Sequence, residues 1–196
     1  MYRKGSEYDR IAKLAIDLYL DYGFVTFPLN EEDVCQKLGI SLVPYSAYKP
    51  DDRKLFIKRS QYGFFNPLTK EAPPTIFYND DPQLPRGCQR QTIFHEIKHY
   101  VDEDCEEDPE DDDLAEYFGR FFPAPIPHLI VNDISNPTEI ISRFGTSYTI
   151  ASHISSNVIN RMKKYGKRIF DYEKPLVKQL DPIYYSIFLK DEGSDA

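Results

Sequence analysis

Apolar residues recur along this chain with helical and strand periods, and the changes of period mark the elements. Residues 6–21 (SEYDRIAKLAIDLYLD) place Ile11, Leu14, Ala15 and Leu18 at helical spacing behind a capping candidate, Ser6, and Gly23 ends the run. The stretch FPLNEEDVCQKLGI predicts a short helix. Asn30 caps it, Glu31 and Glu32 suit the positive end of the helix dipole, and Gly39 stops it. SLVPYS, LFIKRSQYGFF and PPTIFYND read as strands, with turns at Asp51-Asp52 and Asn66-Pro67, which predicts a small sheet of about three strands. A helix is expected through CQRQTIFHEIKHYV, then an acidic loop, then a second helix, EDDDLAEYFGRFF, opened by Asp108-Pro109. The prolines of FPAPIP break that helix, and from Pro137 to Leu180 the chain reads as mostly helical, with breaks at Gly145 and Gly166. The expected class is α+β. Residues 1–130 form the first unit, and 131–196 form a helical subdomain that can be continuous with it.

Composition adds exclusions. With 196 residues, 41% hydrophobic and 29% charged, the chain can bury a core without staples. The net charge is −8, but ten of the 32 acids lie between Asp102 and Asp113. The acidic balance therefore belongs to one segment and excludes no class of partner. No stretch approaches the ~18 apolar residues of a membrane span. The polar start MYRKGSEYDR predicts no secretory signal. Cys35, Cys88 and Cys105 make no CxxC pair, so a cytoplasmic protein with reduced thiols is expected. There is no GxGxxG or GxxxxGK[ST], and the acidic run lacks the glycine and alternating ligands of an EF-hand loop.

One motif carries chemistry. His95-Glu96-Ile97-Lys98-His99 is an HExxH, and four His and 13 Glu give about 0.005 matches by chance. On a helix, residues four apart lie one above the other, so both imidazoles can reach one ion. Glu96, about 100° round the helix, can hold a water without ligating. Ile93, Phe94, Ile97, Tyr100 and Val101 form a core stripe, and Thr92, His95, Glu96 and His99 fall on the other side. A catalytic zinc site needs a third protein ligand. No His occurs between His99 and His128, so a carboxylate of the second helix is expected. Asp112 shares a face with Ala115 and Gly119, two small residues that let this helix approach closely, and it is the choice; Glu116 is the reserve. Asp111 and Asp113 read as solvated acids of a first turn.

These residues resemble the ImmA/IrrE family of small metallopeptidases. RQTIFHEIKHYV resembles its arginine-led approach to HExxH, and LAEYFGRFFPAP its second-helix signature. PTIFYND resembles the preceding strand, and FPLNEEDVCQKLGI the N-terminal Pro-helix segment, so the likeness covers roughly residues 8–130. The resemblance implies a zincin-like fold, a small mixed sheet packed on the HExxH helix. It implies zinc on His95, His99 and Asp112, with Glu96 as general base. Family members are bacterial and phage proteins, and the best understood relieve repression by cleaving a helix-turn-helix repressor. A protein substrate of that kind is the expected partner. Three positions depart from the family pattern: Asp112 stands where Glu is common, Leu114 replaces an acid, and Lys98 replaces a small residue.

His128, His153 and Tyr148 are candidate oxyanion donors, and an extended peptide is expected to dock on the sheet edge. The rival from another class is a DNA-binding regulator. Arg161, Lys163, Lys164, Lys167 and Arg168 form a basic cluster, and Ile140, Phe144, Ala151, Ile154 and Val158 carry helix-turn-helix spacing. A helical subdomain with a solvated basic face is the favoured alternative to it. A third reading is a non-catalytic protein that titrates a repressor.

Overall fold

The computed structural model describes residues 5–70, 72–102 and 109–190. The molecule is α+β and mostly helical, with one small mixed sheet. Helix α1 (Gly5–Tyr22) begins ahead of Ser6, which lies inside it and does not cap it. In α2 (Glu31–Leu38), the Asn30 side chain accepts from the Asp33 N–H, and Gly39 closes the helix at φ 73°. That left-handed turn suits glycine, which has no Cβ to clash.

Strand β1 (Ser41–Pro44) follows and runs into a single 3-10 turn at Tyr45–Ala47. The strand expected over LFIKRSQYGFF is corrected. Pro50–Arg59 is a helix, α3, and only Gly63–Asn66 is extended, as β2. Pro50 sits in its first turn with Asp51 and Asp52, and Lys58 and Arg59 in its last. Each charge thus meets the favourable end of the helix dipole. Leu55 and Ile57, which belong to the short apolar run read as a strand, are exposed. Phe56 instead packs on Tyr45, Phe64 and Phe77. Strand β3 (Thr75–Tyr78) lies in the centre of the sheet, parallel to β1 and antiparallel to β2.

Helix α4 (Arg86–Val101) packs on this sheet and on α5 (Pro109–Phe121). The expected acidic loop and Asp108 cap lie outside the described residues. The prolines after α5 begin a helix as well as ending one: Pro125 flanks and Pro127 opens α6 (Ile126–Val131). Proline is tolerated there because a first-turn N–H has no intrahelical partner. Helices α7 (Pro137–Phe144), α8 (Tyr148–Tyr165), α9 (Lys174–Leu180) and α10 (Pro182–Phe188) complete the chain, and α10 extends the helical region beyond Leu180. Among the described residues no helix is long and apolar enough to cross a membrane.

Two apolar clusters form the core. The first joins α1, α2, the sheet, α4 and α5 through residues such as Ile11, Tyr19, Ile76, Phe94 and Phe118. The second joins α6 to α9 through Leu129, Phe144, Ile154 and Val177. They divide near Pro123, at the FPAPIP prolines, and they are not separate. Phe27 and Ile126 pack on both, and the neighbours Leu176 and Val177 enter one each.

Two features of α4 fasten the clusters together. Arg90 pairs with buried Glu31 and donates to the carbonyls of Leu29 and Phe144. At Gly87 a Cβ would lie 2.8 Å from both Ser147 Cα and Thr146 C, so the α4 backbone meets the α7–α8 turn directly. Gly87→Ala should therefore lower stability by about 1–3 kcal/mol, read as a reduced urea midpoint. An unchanged midpoint would show that the turn yields freely.

Candidate metal centre

The apolar residues of α4 fix which side faces the cleft. Ile93, Phe94 and Ile97 are buried in the first cluster, which turns His95, Glu96 and His99 to the other side. Lys98 departs from the expected stripe, because its side chain is fully buried. Its Nζ lies 3.1 Å from Asp102 Oδ2, and Asp102 also pairs with Arg10 of α1. Burial would raise the Asp102 pKa, but Arg10 and Lys98 outweigh it and hold the carboxyl below its ordinary value.

Helix α5 lies close beside this face. A Cβ on Gly119 would stand 3.3 Å from the His95 backbone nitrogen and 2.6 Å from Gln91 Nε2. Ala115 is fully buried. The two small residues thus sit where the helices meet, and the approach brings Asp112 to the histidines. Asp112 Oδ1 lies 3.1 Å from His95 Nε2, and His99 Nε2 lies 3.3 Å from the same nitrogen. One donor atom from each of His95, His99 and Asp112 falls within 4.8 Å of the others, and the group could hold a metal ion. Glu116, the reserve, faces the other ring nitrogen, with Oε1 3.7 Å from His95 Nδ1. Asp113 is exposed, and the Asp111 side chain lies outside the described residues.

Glu96 stands apart from this group. Its Oε2 accepts from the Phe65 N–H of β2 at 2.9 Å. Sequence reasoning missed this partner, and a backbone amide leaves no signal there. Burial pushes the Glu96 carboxyl above its ordinary pKa, against the His95 charge and the Phe65 hydrogen bond. At His95 burial opposes protonation, yet Glu116, Glu96 and Asp112 raise its pKa on balance. The nearby His95 ring holds Glu116 below its usual range against burial, helped by Arg120 and His153. Three carboxylates gathered on one imidazole make a site that favours a cation. Two imidazole nitrogens and a carboxylate oxygen suit a borderline divalent ion.

The group opens on a cleft of about 280 Å³ whose walls include Ser60, Tyr62, Gly63 and Thr92. None of the three candidate oxyanion donors lines the cleft, although His153 is near enough to Glu116 to act on its charge. His128 is bonded to Asp181 at 2.7 Å and stacked on Phe27, which makes it a structural residue of the second cluster. Tyr148 and His153 are exposed on α8, and neither lines the cleft.

Of the basic stretch Arg161 is built into the fold, while Lys163, Lys164, Lys167 and Arg168 are exposed. Arg161 pairs with fully buried Glu173 and donates to the Arg168 carbonyl. Lys167 pairs with Asp133, and Lys164 lies over the Tyr165 ring. Comparison with protein-family models, with curated proteins and with solved structures finds no match, so a function for this chain rests on its sequence and on this cleft.

Proposed function

We propose that this protein is a zinc-dependent metallo-endopeptidase that hydrolyses a peptide bond in a protein substrate. The observation that carries the reading is the convergence of His95, His99 and Asp112, with Glu96 beside them in an open cleft. The sheet packed on α4 supports a zincin-like arrangement, and the resemblance to the ImmA/IrrE family points to a helix-turn-helix repressor as substrate. His95, His99 and Asp112 would hold the ion. Zinc supplies Lewis acidity, which polarises a carbonyl and makes water acidic near neutral pH.

The remaining work falls to the chain's own groups. Strand β2 is an edge strand beside the cleft, and since Glu96 and Ser60 already hold the N–H groups of Phe65 and Gly63, an extended peptide would be taken by donating to carbonyls on its outer side. Phe65 N–H occupies one oxygen of Glu96 and fixes the carboxylate. The other oxygen takes the proton of the attacking water and later delivers it to the leaving amine.

The test is metal analysis of the purified protein beside His95→Ala, with cleavage of a helix-turn-helix repressor assayed with and without chelator. Metal-dependent cleavage, lost in the variant, is expected. A stoichiometric complex without cleavage would replace this reading with a titrating regulator. Neutralising Lys163, Lys164 and Lys167 together should leave cleavage of a short unstructured peptide unchanged. A tight, salt-sensitive, sequence-specific duplex affinity that disappears in the triple variant would favour the DNA-binding regulator instead.

A further inference from the structure

The two ring nitrogens of His95 meet different carboxylates. Nε2 is on the side of Asp112 and His99, where the three donor atoms converge. Nδ1 faces Glu116, whose other oxygen accepts from Arg120 Nη1 at 3.3 Å. Glu116 and Asp112 are one helical turn apart on α5, and α5 is held against α4 at Gly119. Packing therefore sets which carboxylate each nitrogen meets.

A neutral imidazole that ligates through Nε2 carries its proton on Nδ1. Once an ion takes Nε2, a carboxylate on the Nδ1 side, here 3.7 Å away and needing only a small approach to hydrogen-bond, favours that tautomer and fixes the plane of the ring. We propose, building on the metal site described above, that Glu116 is a positioning residue. It holds His95 in the Nδ1–H tautomer with Nε2 aimed at the ion, and Arg120 holds Glu116 in its turn. Glu116 is thus no substitute for Asp112, although sequence spacing leaves the two acids interchangeable as ligands.

The test uses the whole chain and three readouts. Zinc affinity is measured by competition with a chromophoric chelator. Glu116→Ala should weaken it about 10–100-fold. Glu116→Gln, which keeps an acceptor oxygen, should recover most of the loss. The visible spectrum of the cobalt(II) form should keep its shape in Glu116→Ala, because no ligand is removed, and should change in Asp112→Ala. A Glu116→Ala spectrum altered like that of Asp112→Ala would make Glu116 a ligand and overturn the proposal. Wild-type affinity in Glu116→Ala would also overturn it.

The third readout is the Nδ1 proton itself. In the ion-free ring Asp112, 3.1 Å from Nε2, is the nearer acceptor, and the ion on Nε2 is what leaves Nδ1–H to Glu116. Proton NMR of the zinc-loaded protein should therefore show a downfield, slowly exchanging His95 Nδ1–H in the wild type that is lost or moves upfield in Glu116→Ala. The same resonance in both proteins overturns the proposal. A wild type that binds no zinc overturns it together with the metal site, whereas zinc bound equally by both proteins overturns it alone.

Discussion

Glu96→Gln should retain the metal and lose nearly all peptide hydrolysis, by roughly 10²–10⁴-fold. The substitution is close to isosteric, and its carbonyl oxygen can still accept from the Phe65 N–H that Glu96 engages at 2.9 Å. The β2–α4 contact therefore survives, and the change removes the basic oxygen alone. Glu96 lies outside the convergent donor group, so metal content should match the wild type. Metal analysis and a cleavage rate on the same preparation decide the matter. Cleavage near the wild-type rate means that another group is the base. Loss of the metal means that Glu96 supports the ion.

Asp112→Ala should reduce zinc affinity by more than the ~100-fold that outer partners of a ligand reach. It removes one of three protein donors, and its effect on folding should be small because the side chain is 69% exposed. Asp113→Ala, the next residue on the same helix and also exposed, should bind zinc as the wild type does. The contrast between neighbours separates ligation from the general negative field of the helix end. Asp112→Glu should retain binding, since a longer carboxylate on the same turn still reaches. An ion held by Glu116 with Asp112 in solvent would refute the choice of residue and leave the peptidase reading standing.

What the sequence reveals about this protein depends on how local the cause is. The Asn30 cap and the Gly39 stop act within a few residues, and both are readable. The stripe of Ile93, Phe94 and Ile97 follows from helix geometry, and so does the placing of His95 one turn from His99, with their rings edge to face. Helix α3 was hidden because the short apolar run Leu55-Phe56-Ile57 reads like a strand although Leu55 and Ile57 face solvent, while its end charges carry the helical signal. Helix α6 was hidden because proline reads as a breaker unless its place in a first turn is known. Arg90 stands out in the sequence, yet its partners Glu31, Leu29 and Phe144 come from distant segments. The distinction between Asp112 and Glu116 lies in which ring nitrogen each one faces, and spacing along a helix carries no such information.

The ties on either side of the HExxH segment bear on the energetics of metal capture. Toward its start, Arg90 binds α4 to Glu31 and Phe144, and toward its end Lys98 and Asp102 bind it to Arg10. These ties are made by the polypeptide itself, on faces of the helix that the ion does not touch. In small zinc domains the binding energy of the ion is spent on folding, and the apo chain is unfolded. Here the scaffold is already assembled, so little of that energy is diverted to ordering the chain. Removing zinc should therefore leave a folded apoprotein whose melting temperature falls only by the mass-action contribution of the lost ion.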